Sequence, residues 1–371
     1  MKKNFWQKLK KPILALAPMA GITDSAFRQI CRQNGADVVY SEMASVSALF
    51  FKPQKTLELV RFAKKERPYV VQLFGKDPAH FAKAAQIITA GIPAAPVGIR
   101  SLRRRDRIPT NLIPDGIDIN FGCPAKKVFG HGSGCALMPQ GKLAREIISA
   151  VCENTDLPVS IKIRAGVKDT TAIHFIENIK DLPFSAVMVH GRTYEGSFHA
   201  PVNFEIVEEI KKIIPGKIVL ANGGINTPEQ ALEIWKKYPS LDGLGIARGA
   251  WGKPYIFDEI KSLLACHPGP APASLAESRR GGDPGSNSSS RSPQSIRFRV
   301  KPGMTKEYDF KKIKKIMIRH AELIYKDKGD LGMFEIRKHL AWYIKGFPGA
   351  SELRQKLVQA KSVEEIKEIL K

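Results

Sequence analysis

Ile13-Leu14-Ala15-Leu16-Ala17 runs directly into Pro18-Met19-Ala20-Gly21, and Asp24–Gln33 (DSAFRQICRQ) follows two residues later. Five uninterrupted apolar residues read as a strand buried on both faces. Proline and glycine end the strand, and the next stretch has the mixed periodicity of an amphipathic helix packed against it. The same strand, turn and helix recur along the chain to about residue 264. The further candidate strands are Asp37–Glu42, Tyr69–Phe74, Gly116–Asn120, Val159–Ile163, Ala186–His190, Ile218–Ala221 and Gly243–Ile246. Helix-like segments follow them, among them Pro78–Ala90, Lys142–Glu153, Phe204–Ile214 and Pro228–Tyr238. Eight such units predict an α/β fold, a (β/α)8 TIM barrel, which typically takes about 250 residues. A doubly wound sheet is the rival. It usually needs fewer strands and an early glycine fingerprint, and neither Gly130–Gly134 nor Gly243–Gly249 supplies G-x-G-x-x-G between a strand and a helix.

Two segments break this rhythm. Gly91–Pro114 carries four prolines and the basic cluster Arg100, Arg103, Arg104, Arg105 and Arg107. It reads as an insertion at a helix-to-strand connection, which should emerge on the barrel face away from the site. His267–Gly303 is rich in Pro, Gly, Ser and Arg without apolar periodicity, a composition that cannot repay its ordering entropy. Beyond it, Phe310–Tyr325, Met333–Lys345 and Ser351–Lys371 read as helices of a small basic bundle. The expected domains are a catalytic barrel over 1–265 with its insertion near 91–114, a low-complexity linker over 266–305, and a helical domain over 306–371.

The chain has 371 residues and a formal charge of +23, from 59 Lys+Arg against 36 Asp+Glu. Such an excess favours a polyanionic partner, because each neutralised phosphate releases counterions. Cys31, Cys123, Cys135, Cys152 and Cys266 are odd in number, widely spaced and without a C-x-x-C pair. That pattern argues against a disulfide framework and against a zinc or other metal site, and it suits a reducing cytoplasm. Lys2, Lys3, Lys8, Lys10 and Lys11 precede the apolar stretch Pro12–Ala20, as in a signal peptide, but the stretch is short and interrupted at Pro12 and Pro18. No other stretch approaches the ~18 apolar residues of a membrane span.

In a barrel of this kind chemistry gathers at the C-terminal strand ends. Those ends carry Pro18-Met19-Ala20-Gly21, Gln72, Asn120 with Cys123, Lys162 with Arg164, His190 with Arg192, Asn222-Gly223-Gly224, and Arg248-Gly249. Loops after the seventh and eighth strands commonly bind phosphate through backbone N–H groups, and Arg248 can add a charge-assisted bond. Lys162 could stabilise negative charge on an electron-rich ring. Each group also has a plainer reading: a tight turn for Asn222-Gly223-Gly224, carboxylate partners for Lys162 and Arg164, a structural role for His190, and a buried small hydrophobe for Cys123. Cys123 stands out by position, in a loop after a strand end between Gly122 and Pro124. Cys31 and Cys152 read as core, and Cys135 stays open.

Taken together, APMAGITD (17–24), VQLFG (71–75), DINFGCPAKKV (118–128), IKIR (161–164), VHGRT (189–193) and ANGGI (221–225) resemble the bacterial tRNA-dihydrouridine synthases of the B type. The resemblance covers 13–264 and resumes over about 309–350, where Arg337-Lys338-His339 and Trp342-Tyr343 are similar to the family's helical tRNA-binding domain. The sequence departs from the family pattern at Phe121, where methionine is usual, and at Ala247, where glycine is usual.

The resemblance implies FMN, NADPH or NADH as reductant, and tRNA uridine as substrate; no protein partner is implied. It assigns Pro18, Met19, Ala20, Gln72, Lys162, His190, Asn222, Gly223, Gly224, Ala247 and Arg248 to the flavin. Asn120 and Arg164 go to the substrate, Arg337 and Lys338 to the tRNA body, and Cys123 to general acid catalysis. Hydride would reach C6 of the uracil from the flavin and a proton would reach C5 from Cys123, a thiol being mostly protonated at neutral pH. Two other functions stay open at this point: a flavin barrel acting on a free pyrimidine, as dihydroorotate-type oxidoreductases do, and a tRNA-binding protein without catalysis.

Overall fold

A computed structural model describes residues 4–93, 111–197, 199–266 and 309–371. Its centre is a closed ring of parallel strands: β1 (Ile13–Leu16), β2 (Val38–Ser45), β3 (Tyr69–Phe74), β4 (Gly116–Phe121), β5 (Val159–Val167), β6 (Ala186–Thr193), β7 (Ile218–Asn222) and β8 (Gly243–Ile246). Each strand pairs in parallel with its sequence neighbour, β8 pairs back to β1, and β4 pairs with β5, so the ring has no edge. This is the predicted (β/α)8 barrel, with additional helices at the C-terminal end of the chain.

Alternation along the strands builds two apolar layers. Ile13, Ala15, Val38, Tyr40, Val70, Met188 and Leu220 fill the interior. Leu14, Leu16, Val39, Val71, Ile117, Ile161 and Val219 face the surrounding helices. Both faces are buried, so the strands read as continuous apolar runs. A Cβ on Gly245 would lie 2.7 Å from Met188 Sδ, so β8 is thin where Met188 fills the barrel. The other end is plugged by a feature the sequence reading lacked. A 3-10 turn over Phe5–Lys8 places Trp6, 1% exposed, in the interior cluster.

The ends of the first insertion lie at the N-terminal rim. Ile92–Pro93 pairs antiparallel with Asn111–Leu112 just before β4, and the Asp115 carboxylate accepts from the backbone N–H of Tyr69 where β3 begins. The remainder, 94–110, and the segment 267–308, which holds all of the predicted linker but Cys266, lie outside the described residues; Cys266 ends the helix Ile256–Cys266.

The helices Phe310–Lys328 and Asp330–Tyr343 form where the periodicity predicts them. The expected single helix over Ser351–Lys371 is instead two, Ala350–Leu357 and Val363–Ile369. Side-chain caps explain the break: Ser362, the N-cap, accepts through Oγ from the backbone N–H of Glu365 (3.1 Å), and Glu365 Oε2 accepts from that of Lys361 just before the cap (2.8 Å).

The bundle shares an apolar core with Ala26 and Ile30 of the first barrel helix, Ser25–Gln33. Its polar seam joins Lys328 to Asp24 (2.9 Å) and Arg61 to Asp327 (3.0 Å). Although burial opposes it, Lys328 with His320 and His339 holds the Asp24 carboxyl down to about 2. Among the described residues no helix is long and apolar enough to cross a membrane.

Candidate active site

A cavity of about 450 Å³ opens at the C-terminal ends of the strands. It is lined by Pro18, Met19, Ala20, Gln72, Asn120, Cys123, Lys162, Arg164, His190, Asn222, Gly223, Gly224, Ala247 and Arg248. The structure thus brings together the barrel residues singled out from the sequence, apart from Gly21, which lies outside the lining. Strand register does this, since Gln72 pairs with Asp118, Asn120 with Lys162, and Arg164 with His190.

One half of the wall is a hydrogen-bonded ladder. Asp118, fully buried, accepts from Ser160 Oγ (2.6 Å) and from Gln72 Nε2 (2.7 Å). Gln72 Oε1 accepts from Asn120 Nδ2 (2.9 Å). Asn120 Oδ1 accepts from the backbone N–H groups of Gly122 (3.0 Å) and Cys123 (2.8 Å). The ladder therefore runs from a buried carboxylate to the loop that presents the thiol. Burial pushes the Asp118 carboxyl up to about 6, against the hydrogen bonds of Ser160 and Gln72 and the charge of Lys162.

Arg164 grips the same loop from the other side. Its Nε donates to the Gly122 carbonyl (2.9 Å) and its Nη1 to that of Thr193 (3.0 Å). Cys123 is half-buried, while Cys135, whose N–H donates to the Cys123 carbonyl (3.2 Å), is fully buried and pushed up to about 12 by that burial. Cys31 and Cys152 are buried in the core, as read from the sequence, and Cys266 is exposed.

The other half is cationic and thin-walled. Burial and the charges of Lys162, Arg164, Arg192 and Arg248 push His190 down to about 2, so its imidazole is neutral. Burial, with Arg164 beside it, lowers Lys162 to about 8, while Asp118 and Cys123 pull the other way. Gly223 and Gly224 take φ of +111° and +69°, which L side chains rarely adopt. A Cβ on Gly249 would lie 2.1 Å from the Ile225 carbonyl oxygen. Asn222 ties β7 to β8 by donating to the Gly245 carbonyl (2.7 Å).

Arg337 and Lys338 stand apart from the cavity. The Arg337 guanidinium lies 4.7 Å from the Phe334 ring centre, and the Lys338 ammonium donates to the Gly21 carbonyl on the loop after β1. The sequence reading missed Met43 and Trp251, which also line the cavity. Trp251 donates from Nε1 to Met19 Sδ (3.1 Å) and stacks on Trp342 of the bundle at 4.7 Å and 7°. A large aromatic five residues past the end of β8 was the available signal for Trp251; nothing local marks its partner.

Comparison with known proteins identifies the family. A family model described as dihydrouridine synthase matches residues 15–98, 107–281 and 285–371. A probable tRNA-dihydrouridine synthase of Mycobacterium tuberculosis is 30% identical over 372 residues, covering 97% of this chain and 81% of its own. The tRNA-dihydrouridine synthase B of Pseudomonas aeruginosa is 32% identical over 345 residues, covering 92% and 86%. Among solved structures, a 2-naphthoyl-CoA reductase complex shares the fold, with TM-score 0.51 and 10% identity over 70% of this chain and 52% of that one. The chain is therefore a member of the bacterial dihydrouridine synthase family, B type, and a flavin-dependent oxidoreductase.

Proposed function

We propose that this protein reduces the C5–C6 double bond of uridine in tRNA to give dihydrouridine, with FMN in the barrel cavity and NADPH or NADH as the source of electrons. The observation that carries the reading is the division of one cavity into a cationic, glycine-lined half and a half that holds a single half-buried thiol.

The cationic half suits FMN. Burial and the surrounding cations keep His190 neutral, and a Cβ on Gly223, Gly224 or Gly249 would press on His190, Val202 or the Ile225 carbonyl of this wall. Gly223, Gly224, Ala247 and Arg248 would hold the phosphate; Pro18, Met19, Ala20, Gln72, Lys162, His190 and Asn222 would surround the ring. When bound, FMN supplies the hydride that C6 of the uracil receives.

The residues of this chain then manage the proton. Cys123 Sγ–H donates to C5, and its loop stays in place because Asn120 and Arg164 hold Gly122 and Cys123 from both sides. Lys162 keeps a positive charge near the developing negative charge. Asn120 Nδ2 donates to Gln72 (2.9 Å) and to Met43 Sδ (3.8 Å), and a uracil carbonyl would take the second hydrogen in place of the weakly accepting sulfur. A uridine reaches this depth only by leaving its stack, and the basic bundle with Arg337 and Lys338 would hold the tRNA body by its phosphates.

The test is Cys123→Ala. The variant should retain yellow flavin absorbance while dihydrouridine in tRNA, measured by mass spectrometry, falls by about 10²–10⁴-fold. Full turnover by this variant would overturn the acid assignment. Activity on free uracil equal to that on tRNA would overturn the substrate.

A further inference from the structure

The helix Val46–Phe51 leaves β2 just beyond Met43, a cavity-lining residue. Val46 and Leu49 are its buried side chains, and the two phenylalanines that end it face outward. Phe51 is 69% exposed and Phe50 42%. The rings form an ordered cluster, with Phe50 and Phe51 5.0 Å apart and edge-on at 75°. His80, in the first turn of the helix Pro78–Thr89 that follows β3, lies 4.2 Å from Phe50 and 5.3 Å from Phe51.

The cluster is fixed to the barrel rim. Gly75, just past β3, lacks a Cβ where one would meet Val46 Cγ2 at 2.2 Å, so the helix lies directly on the strand end. The surface continues from there toward the thiol. A Cβ on Gly132 would lie 3.5 Å from Lys76 Cδ, and one on Gly134 would meet the Cys123 carbonyl oxygen at 2.9 Å. Lys52, Lys55 and Lys76 are exposed on this stretch. Asp77, between Lys76 and His80, accepts from the N–H groups of Ala79 and His80 to cap the next helix.

We propose that Phe50, Phe51 and His80 form a stacking platform for an unpaired base of the tRNA beside the target uridine. The proposal rests on the reading of the protein as a tRNA-reducing enzyme. A uridine drawn into the cavity leaves a neighbouring base without its stacking partner, and an exposed aromatic surface at the rim replaces that partner. Every base has a π-face, so the platform tolerates any sequence, while the lysines around it take the phosphates.

The experiment uses the full chain loaded with flavin and an unmodified tRNA transcript. The double variant F50A/F51A should keep its flavin and bind tRNA about tenfold more weakly. Its dependence of log Kd on log salt should be unchanged, whereas K52A and K76A should each lower that slope by about one. F51W supplies a direct readout: against the parent protein, its added emission should be quenched by tRNA and left unquenched by heparin, a polyanion without bases. Affinity of F50A/F51A within twofold of the parent, or equal responses of F51W to tRNA and heparin, overturns the platform. If the parent protein neither binds nor reduces tRNA, the underlying functional reading fails instead.

Discussion

The two halves of the cavity solve different problems with different chemistry. Around β5 to β8 the wall is charged and thin, and burial together with the charges of Lys162, Arg164, Arg192 and Arg248 suppresses protonation of His190. Around β3 and β4 the cavity residues are uncharged amides and a thiol, and the charge, Asp118, is buried behind them. A cationic wall binds an anion wherever the anion sits, because Coulomb attraction is weakly directional. A proton donor must be placed to a fraction of an ångström, which calls for hydrogen bonds of fixed geometry. The two halves should therefore fail separately when mutated.

The largest expected effect is on the cationic half. Gly249→Val should lower FMN affinity more than a hundredfold, read by flavin fluorescence, because the new side chain must displace backbone at Ile225. Cys123 should remain alkylatable in the same protein, and equal damage to both halves would break the comparison.

Asp118→Asn should do the reverse. Flavin affinity should hold within about threefold while turnover falls about tenfold, since Ser160 and Gln72 donate to different carboxylate oxygens and an amide puts a donor NH2 in place of one of them. Unchanged turnover would show that the ladder is not what positions the thiol.

A smaller effect follows from pH. Protonation of Asp118 near pH 6 removes one of its two acceptor bonds, so turnover should decline severalfold as pH drops below that value. His190, held down to about 2, should add no inflection between pH 5 and 8. Stability moves the other way. The native Asp118 carboxyl binds its proton more tightly than the ordinary value of 3.8 allows, so its contribution is greatest below that value and is lost as pH rises through about 6. Thermal denaturation of the parent and of Asp118→Asn across this window measures the difference.

The smallest effect concerns how the bundle meets the cationic half. Trp342→Ala removes the stack on Trp251 and should cost about 1 kcal/mol of thermal stability. FMN affinity should weaken less than tenfold, through Met19 and Trp251, with the Cys123 alkylation rate unchanged.

Much of this molecule was legible in its sequence. A strand covered on both sides must be apolar throughout, so Ile13–Leu16 and its seven counterparts announced a barrel, and the polar residues ending each run marked the cavity face. Sequence also singled out Cys123 by its loop position. It could not show what restrains that loop. The bonds from Asp118 through Gln72 to Asn120 cross 46 and 48 residues of chain, and the grip of Arg164 on Gly122 crosses 42. Such contacts depend on strand register and barrel closure, which local composition does not encode. The same holds for the stack of Trp342 on Trp251 and for the bond from Lys338 to Gly21. Sequence alone determined most of the residues that face the cavity, Met43 and Trp251 apart, because the end of an apolar run is a local signal. Only the tertiary structure decided which of them hold one another, because hydrogen-bond partners are set by distances between strands.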